Sequence, residues 1–143
     1  MELKDLCKKL NLNAESLERE FDLLDLEFIT PKTVARKIVE KVDKYCQFTE
    51  TFLNADGVSF AVLIEIKTLD TRKLNETFMA LNLITREYML ADLKNTDQEF
   101  LSFITRGVKE WVAIKPELMT LVQQAKDAWK DSRRLGEELG YFG

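Results

Sequence analysis

The sequence predicts a mainly all-α domain, built as a compact bundle or orthogonal array of five to six helices. Glycine and proline are scarce, at 5 and 2 of 143 residues, and apolar side chains recur at helical spacing between polar caps. Hydrophobic residues make up 45% of the chain and charged residues 32%, a balance typical of folded domains. We expect a single domain over residues 1–143, with a helix pair at 1–25 and a helical core at 31–143.

The first predicted helix runs from Glu2 to Leu10, and Asn11 favours the left-handed conformation that ends it. Asn13 is a good N-cap for a second helix, from Ala14 to about Asp25. Both helices are short and apolar on one side only, as expected for surface helices that pack on a core. Their apolar positions are Leu3, Leu6, Cys7 and Leu10, then Leu17, Phe21 and Leu24.

The third helix has the clearest start in the chain. Thr30 fits the N-cap, and Pro31 fits the first helical position, where the fixed φ and missing donor of proline cost nothing. The turn-forming residues Asn54–Gly57 end this helix. Its predicted inward side chains are Val34, Ile38, Val42, Tyr45 and Phe52.

Residues 58–66 allow two interpretations. Their β-branched and aromatic side chains alternate with other residues, which is typical of a strand. A strand needs a partner, and the other alternating candidate is the short segment Leu24–Ile29. The segment is therefore either one half of a short two-stranded element or a central buried helix, and the sequence leaves both open.

Three further helix starts are visible in the second half of the chain. Asp70 fits the N-cap of a helix from Thr71 to about Lys94. Thr96–Glu99 matches the capping box and begins a helix to about Ala113. Pro116 opens the last helix, which Gly140 ends. The predicted inward side chains are Leu74, Phe78, Leu81 and Tyr88, then Trp111, then Leu118, Val122 or Leu121, Ala125, Trp129 and Leu135.

The opening helix pair carries a pattern of two leucines and a small residue, a turn, an apolar residue, a polar cap, and then leucine, arginine and phenylalanine. These residues are Leu3, Leu6, Cys7, Leu12, Asn13, Leu17, Arg19 and Phe21. The pattern resembles the helix-turn-helix of the arabinose-regulator type of bacterial transcription factors, over residues 3–21. The resemblance implies two helices that cross at a tight turn, with the second helix placed to read DNA.

The charges favour a protein partner for this pair. Residues 1–30 hold eight acidic and four basic side chains, and an acidic surface repels phosphates. The side chains predicted to point outward from the second helix are Glu15, Glu18, Arg19, Glu20 and Asp22. We therefore expect the pair to suit a basic protein surface better than a nucleic acid.

Two further features are candidates for binding. Lys37, Lys41 and Lys44 share one face of the third helix and are candidates for contact with nucleic acid. Tyr141 and Phe142 follow the last predicted helix, and aromatic side chains in such a place can bind a partner.

The residue inventory excludes several classes of enzyme. The chain contains no histidine, which removes the commonest general base and the commonest transition-metal ligand. Cys7 and Cys46 are predicted to be small core residues, and Glu65 has no acid, base or nucleophile near it in the sequence. We therefore expect no catalytic site, no cofactor and no metal.

The sequence also indicates the cellular compartment of the protein. The longest apolar stretch, Val58–Ile66, is about half as long as a bilayer span. Two cysteines and no apolar signal segment indicate a reducing interior, with the cytoplasm as the expected compartment.

The leading hypothesis is a non-enzymatic protein-interaction domain, an adaptor or regulatory subunit. Its predicted contact residues are Glu15, Glu18, Arg19, Asp22, Tyr141 and Phe142. One form of this hypothesis is self-association, with the acidic helix pair of one copy against Lys37, Lys41 and Lys44 of another. The alternative is a nucleic-acid-associated protein of transcription or replication, which would use the helix-turn-helix or the basic helix at 32–44.

Overall fold

The computed structural model describes the backbone of residues 2–53 and 70–138, with side chains up to residue 131. In these ranges the chain forms five α-helices and one 3-10 turn, which confirms the mainly all-α prediction. The helices are α1 (Leu3–Leu10), α2 (Ala14–Phe21), α3 (Pro31–Leu53), α4 (Thr71–Lys94) and α5 (Asp97–Glu138), and the 3-10 turn covers Leu23–Asp25.

The three long helices form a bundle in which α3, α4 and α5 each pack against the other two. Only Asn95 and Thr96 separate α4 from α5, and so short a connection makes consecutive helices antiparallel neighbours. The largest fully buried side chains of the bundle are Ile38, Leu74, Leu81, Ile84, Phe100, Phe103, Ile104, Trp111 and Leu121.

The short α1–α2 pair packs beside the bundle and adds to the same core. Leu6, Cys7, Leu17, Phe21 and Leu23 are buried in one cluster with side chains of the three long helices. A separate small cluster of Phe52, Leu74, Leu121 and Ala125 joins α3, α4 and α5 elsewhere. The pair therefore depends on the bundle for burial of its apolar face.

The predicted caps of α2 and α4 are confirmed. Asn13 Oδ1 accepts a hydrogen bond from the Ser16 N–H at 2.9 Å. Asp70 Oδ1 accepts from the N–H groups of Arg72 and Lys73, at 3.1 and 3.2 Å. Each carboxylate or amide oxygen satisfies donors that the first helical turn leaves without a partner.

The predicted starts of α3 and α5 are also confirmed. Thr30 Oγ1 accepts from the Thr33 N–H at 3.1 Å, and Thr33 Oγ1 accepts from the Thr30 N–H at 2.9 Å. Thr96 Oγ1 accepts from the Glu99 N–H at 3.3 Å, which is half of the predicted capping box. At the end of α1, Asn11 takes the predicted left-handed conformation with φ of 57°.

Three expectations near the end of α2 are wrong. The helix ends at Phe21 and not near Asp25, because Asp22 adopts the left-handed conformation and a 3-10 turn follows. Leu24, predicted to face inward, is 81% exposed in that turn. The turn also overturns the interpretation of Leu24–Ile29 as a strand, and the described residues contain no strand. Residues 54–66, with the predicted turn and Glu65, lie outside them.

The predicted break between Ala113 and Pro116 is also wrong, since α5 continues through Pro116 to Glu138. Proline in a helix removes the hydrogen bond to the carbonyl of the residue four positions earlier, here Val112. Both Val112 and Pro116 are exposed, so water can satisfy that carbonyl. The apolar face that contains Trp111 meanwhile continues with the buried residues Leu118 and Leu121, and this packing holds the helix together.

The predicted inward faces are mostly confirmed, with corrections. Tyr45, Phe78 and Tyr88 are half-buried, and Leu121 rather than Val122 is the buried residue of that pair. Trp111 is buried as predicted, whereas Trp129, predicted to face inward, is 45% exposed. Gly140 and the side chain of Leu135 lie outside the described part of the chain.

Among the helices described, none combines the length and apolarity needed to cross a membrane.

Candidate functional site

A groove of about 330 Å³ lies between α2, α3 and α5. Trp111 and Leu118 of α5 close its floor, and both side chains are buried. Met119 and Val122 of α5 form an apolar wall, where Met119 is 63% exposed. The remaining lining residues are Glu20, Lys41, Tyr45, Lys115, Gln123 and Lys126.

The spacing of the α5 residues explains why they share the groove. Lys115, Met119, Val122 and Lys126 follow one another at intervals of four, three and four residues, which places them on one face of a helix. Trp129 extends the same series by three more residues. A continuous α5 is therefore required, because a helix break at Pro116 would separate Lys115 from the others.

Glu20 organises the inner wall of the groove. The Trp111 Nε1–H donates a hydrogen bond to Glu20 Oε1 at 2.7 Å. Lys115 Nζ lies 2.9 Å from each of the two carboxylate oxygens. Lys41 Nζ donates to the backbone carbonyl of Glu20 and lies 4.0 Å from Oε1. One carboxylate therefore links α2, α3 and α5.

These contacts change the acidity of Glu20. Burial alone would raise its pKa, but the hydrogen bonds from Trp111 and Lys115 outweigh that effect, and the charges of Lys115 and Lys41 add to them. The pKa of Glu20 is consequently lowered, and the side chain is ionised at neutral pH. It acts as a fixed anion that holds two ammonium groups and an indole in place.

Aromatic packing keeps the Trp111 ring in position. Its centroid lies 5.7 Å from that of Tyr45 and 6.3 Å from that of Phe21. Lys41 Nζ lies 5.9 Å from the Trp111 ring centroid, within the range of a cation–π interaction. The ring is thus fixed from several directions, and the groove is largely preformed.

The groove is apolar at its centre and positive around it. Three lysines and one glutamate line it, so the single carboxylate leaves two positive charges uncompensated among the lining residues. Such a site can take an apolar side chain while its lysines contact acidic neighbours. The described residues contain no cluster of three metal-ligating side chains.

The residues predicted to bind a partner on α2 lie elsewhere. Glu15, Arg19 and Asp22 are exposed and Glu18 is half-buried, and none of them lines the groove. The expectation that Glu20 points outward is wrong. Glu20 lies one turn after the buried Leu17, and its carboxylate contacts Trp111 and Lys115, so it belongs to the face of α2 that packs on α5.

The lysines of α3 have partners inside the chain. Lys41 contacts Glu20, and Lys37 Nζ lies 4.0 Å from an Asp25 carboxylate oxygen. Lys44 is exposed, and its Nζ lies 5.5 Å from the centroid of the Tyr45 ring. The acidic N-terminal segment and the lysine face therefore meet within one copy of the chain.

Sequence reasoning missed the groove for an identifiable reason. Glu20 and Trp111 are separated by 91 residues, and no local pattern predicts such a contact. The series from Lys115 to Lys126 was visible, but Pro116 obscured it by indicating a helix start.

Tyr141 and Phe142 lie outside the described residues. No protein-family model, curated protein or solved structure matches the chain.

Proposed function

We propose that the chain is a non-enzymatic protein-interaction domain, an adaptor or regulatory subunit, that binds an acidic amphipathic helix of a partner protein in the groove between α2, α3 and α5. The observation that carries the proposal is the preformed apolar groove with lysines around it. Grooves of this kind accept the apolar face of a helix, with anchors at positions i, i+3, i+4 and i+7.

The apolar contact would come from the exposed part of α5. Met119 and Val122 form the wall, and both side chains are exposed. Methionine side chains are flexible and polarizable, which suits them to binding surfaces that receive different apolar groups. Burial of one leucine-sized side chain against this wall contributes about 1.5–3 kcal/mol.

The lysines select the charge of the partner. Glu20 already engages Lys115 and Lys41, so Lys126 at the opposite end of the groove is best placed to meet an incoming carboxylate. Complementary charge raises the association rate and disfavours basic partners. A helix with glutamates beside its apolar anchors supplies both the apolar side chains for the wall and the carboxylates for Lys126.

A synthetic peptide tests the proposal directly. The probe is a fluorescein-labelled, end-capped helical peptide of about 16 residues, with leucines at i, i+3, i+4 and i+7 and glutamates between them. We expect a Kd of about 10–100 µM by fluorescence anisotropy. The same peptide with lysines in place of the glutamates should bind at least about tenfold more weakly. Equal binding of both peptides, or no binding of either, would refute the proposal.

A matched pair of variants locates the binding site. Lys126→Glu reverses a charge in the groove, whereas Lys109→Glu reverses an exposed charge on α5 outside the groove. We expect Lys126→Glu to weaken binding of the glutamate peptide at least about fivefold and Lys109→Glu to change it less than about twofold. Equal effects would show that only net charge matters.

The acidic surface of α2 is the competing location for a protein partner. Glu15, Arg19 and Asp22 are exposed there and suit a basic surface. If this surface were the binding site, the lysine peptide would bind better than the glutamate peptide. Glu15→Lys would then weaken binding, while Lys126→Glu would leave it unchanged.

The nucleic-acid alternative has weaker support. Nonspecific binding scales with the number of lysines available to phosphates, and Lys37 and Lys41 each face a carboxylate of the same chain. We expect no binding of duplex or single-stranded DNA at tens of micromolar protein in low salt. If binding appears and Lys44→Gln weakens it, the alternative becomes the better account.

We also infer a reducing compartment for the chain. Cys7 and Cys46 are both buried free thiols, and free buried cysteines are typical of proteins that fold in the cytoplasm or nucleus. Burial removes water from both thiols and so raises their pKa. The thiols therefore stay protonated and unreactive.

A further inference from the structure

Helix α4 carries a second apolar stripe on the side away from the core. Met79, Leu83, Leu90 and Leu93 are large apolar side chains that are all more than half exposed. With Arg86 between them, they follow one another at intervals of four, three, four and three residues. This spacing places all five on one narrow face of the helix, over about 20 Å of its length.

The opposite face of α4 is already occupied. Leu81, Ile84 and Ala91 are buried in the main core, against α3 and α5. A surface helix of a single domain needs only one apolar stripe. Isolated exposed apolar residues are ordinary, but a continuous row of them marks an interaction surface.

We propose that this stripe, Met79 to Leu93, is a homodimer interface in which α4 of a second copy packs antiparallel on the first. The row is nearly symmetric about a point between Arg86 and Glu87. Leu83 and Leu90 lie equally far from that point, and Met79 falls opposite Leu93 to within one residue. A twofold axis at this point therefore pairs Leu83 with Leu90 and Met79 with Leu93, and it places the Arg86 side chains of the two copies beside each other near the axis.

The charges beside the stripe agree with an antiparallel pair. Glu76 and Lys94 lie on the same flank of α4, at opposite ends of the stripe. Both are exposed, and within one copy they form surface ion pairs with Arg72 and Glu99, respectively. An antiparallel arrangement places Glu76 of one copy near Lys94 of the other, twice by symmetry. A parallel arrangement would lack this pairing and align the helix dipoles unfavourably.

The size of the contact sets the expected strength. Two helices in contact over about four turns bury roughly 1,000 Å² in total, which is at the low end for specific interfaces. We therefore expect a dissociation constant of about 10–100 µM. The chain should be largely monomeric at low micromolar concentration and largely dimeric near 1 mM.

Sedimentation velocity on the full chain, from about 5 µM to about 1 mM, tests the dimer. Leu83→Glu places a charge in the stripe, and Leu24→Glu is the matched control because Leu24 is also exposed, at 81%, but lies in the 3-10 turn. We expect Leu83→Glu to weaken the dimer more than about tenfold and Leu24→Glu to leave it unchanged. A monomer up to 1 mM, or equal effects of both substitutions, would overturn the proposal and leave the stripe to a different occupant, such as residues 54–69 or another protein.

Cysteine cross-linking tests the orientation. A mixture of the Leu83→Cys and Leu90→Cys chains should form the disulfide-linked heterodimer under copper-phenanthroline oxidation, because these positions face each other in the antiparallel pair. Each variant alone should cross-link at least about tenfold less, since the equivalent positions then lie about 10 Å apart. The native thiols are buried and give little background. Preferential cross-linking of Leu83→Cys with itself would refute the antiparallel register.

The dimer and the groove are separable. Leu83→Glu lies outside the groove residues and should bind the glutamate peptide with unchanged affinity. Lys126→Glu should dimerise like the unsubstituted chain. If one substitution abolished both properties, the two surfaces would not be independent, and the assignment of the dimer to the α4 stripe would fail.

Discussion

The clearest test of the groove architecture is the substitution Glu20→Gln. It keeps the size and shape of the side chain but removes the negative charge that holds Lys115 and Lys41. The amide oxygen can still accept one of the two hydrogen bonds that the carboxylate receives from Trp111 and Lys115. The variant thus isolates the ionic part of the interaction.

The expected size of the effect follows from the contacts. A hydrogen bond to a charged group contributes about 1.5–3 kcal/mol to stability, against about 0.5–1.5 kcal/mol for a neutral one. Two such bonds are affected, but the Glu20 side chain is 26% exposed, so solvent screens part of the interaction. We expect Glu20→Gln to lower the free energy of unfolding by about 1–2 kcal/mol at pH 7.

The pH dependence gives a second signature. The pKa of Glu20 in the folded chain lies below the ordinary value of 4.5, so its contribution is present above that value and is lost as the pH falls through the folded pKa. The difference in unfolding free energy between the unsubstituted chain and Glu20→Gln should therefore have its full size at pH 7. It should shrink below about pH 4.5. Urea unfolding at several pH values measures it.

Glu15→Gln is the matched control, because Glu15 is an exposed carboxylate on the same helix. It should change stability by less than about 0.5 kcal/mol. If the two substitutions cost the same, or if the Glu20→Gln difference were constant with pH, the assignment of Glu20 as the charged link between three helices would be wrong.

Three further predictions concern other positions. Pro116→Ala should raise stability by about 1–3 kcal/mol in thermal unfolding, because it restores a helical hydrogen bond at an exposed site; a loss would show that Pro116 is needed. Glu110→Gln should add up to about 1 kcal/mol at pH 7, since burial and then Glu87 raise the Glu110 pKa, and the gain should vanish in urea titrations as the pH falls through that pKa. Cys7 and Cys46 should react with Ellman's reagent at the rate of chain opening; immediate reaction of the folded chain would contradict their burial.

Local chemistry explains why much of the fold was predictable. Asn13, Thr30, Asp70 and Thr96 each stand where a helix begins, and their oxygens satisfy backbone donors only a few residues away. Such bonds depend on short sequence distances, so the sequence alone indicates them. The left-handed Asn11 belongs to the same class.

The errors arise where tertiary packing outweighs a local signal. Pro116 is a strong local signal for a helix start, but the apolar face through Trp111, Leu118 and Leu121 stabilises a continuous helix. Trp129 shows the converse, because an aromatic residue at helical spacing is nearly half exposed. Spacing identifies a face of a helix without showing what covers that face.

The candidate site was less predictable than the fold. The groove depends on the contact of Glu20 with Trp111 and Lys115, which are distant in sequence. The sequence shows that the first thirty residues are acidic and that α3 is basic. It does not show that these opposite charges meet within one chain. The structure pairs part of that charge inside one chain, where Lys37 faces Asp25 and Lys41 faces Glu20.

The most direct test of the protein-interaction proposal is a ¹H–¹³C spectrum of the chain labelled at its methionine methyl groups. The chain has four methionines, of which Met119 lines the groove and Met79 and Met89 are exposed on α4. Saturable shifts of Met119 on addition of the glutamate peptide, with Met79 and Met89 responding only to protein concentration, are the predicted result. A peptide that left Met119 unmoved, or that shifted the α4 methyl groups instead, would contradict the assignment of the groove as the binding site.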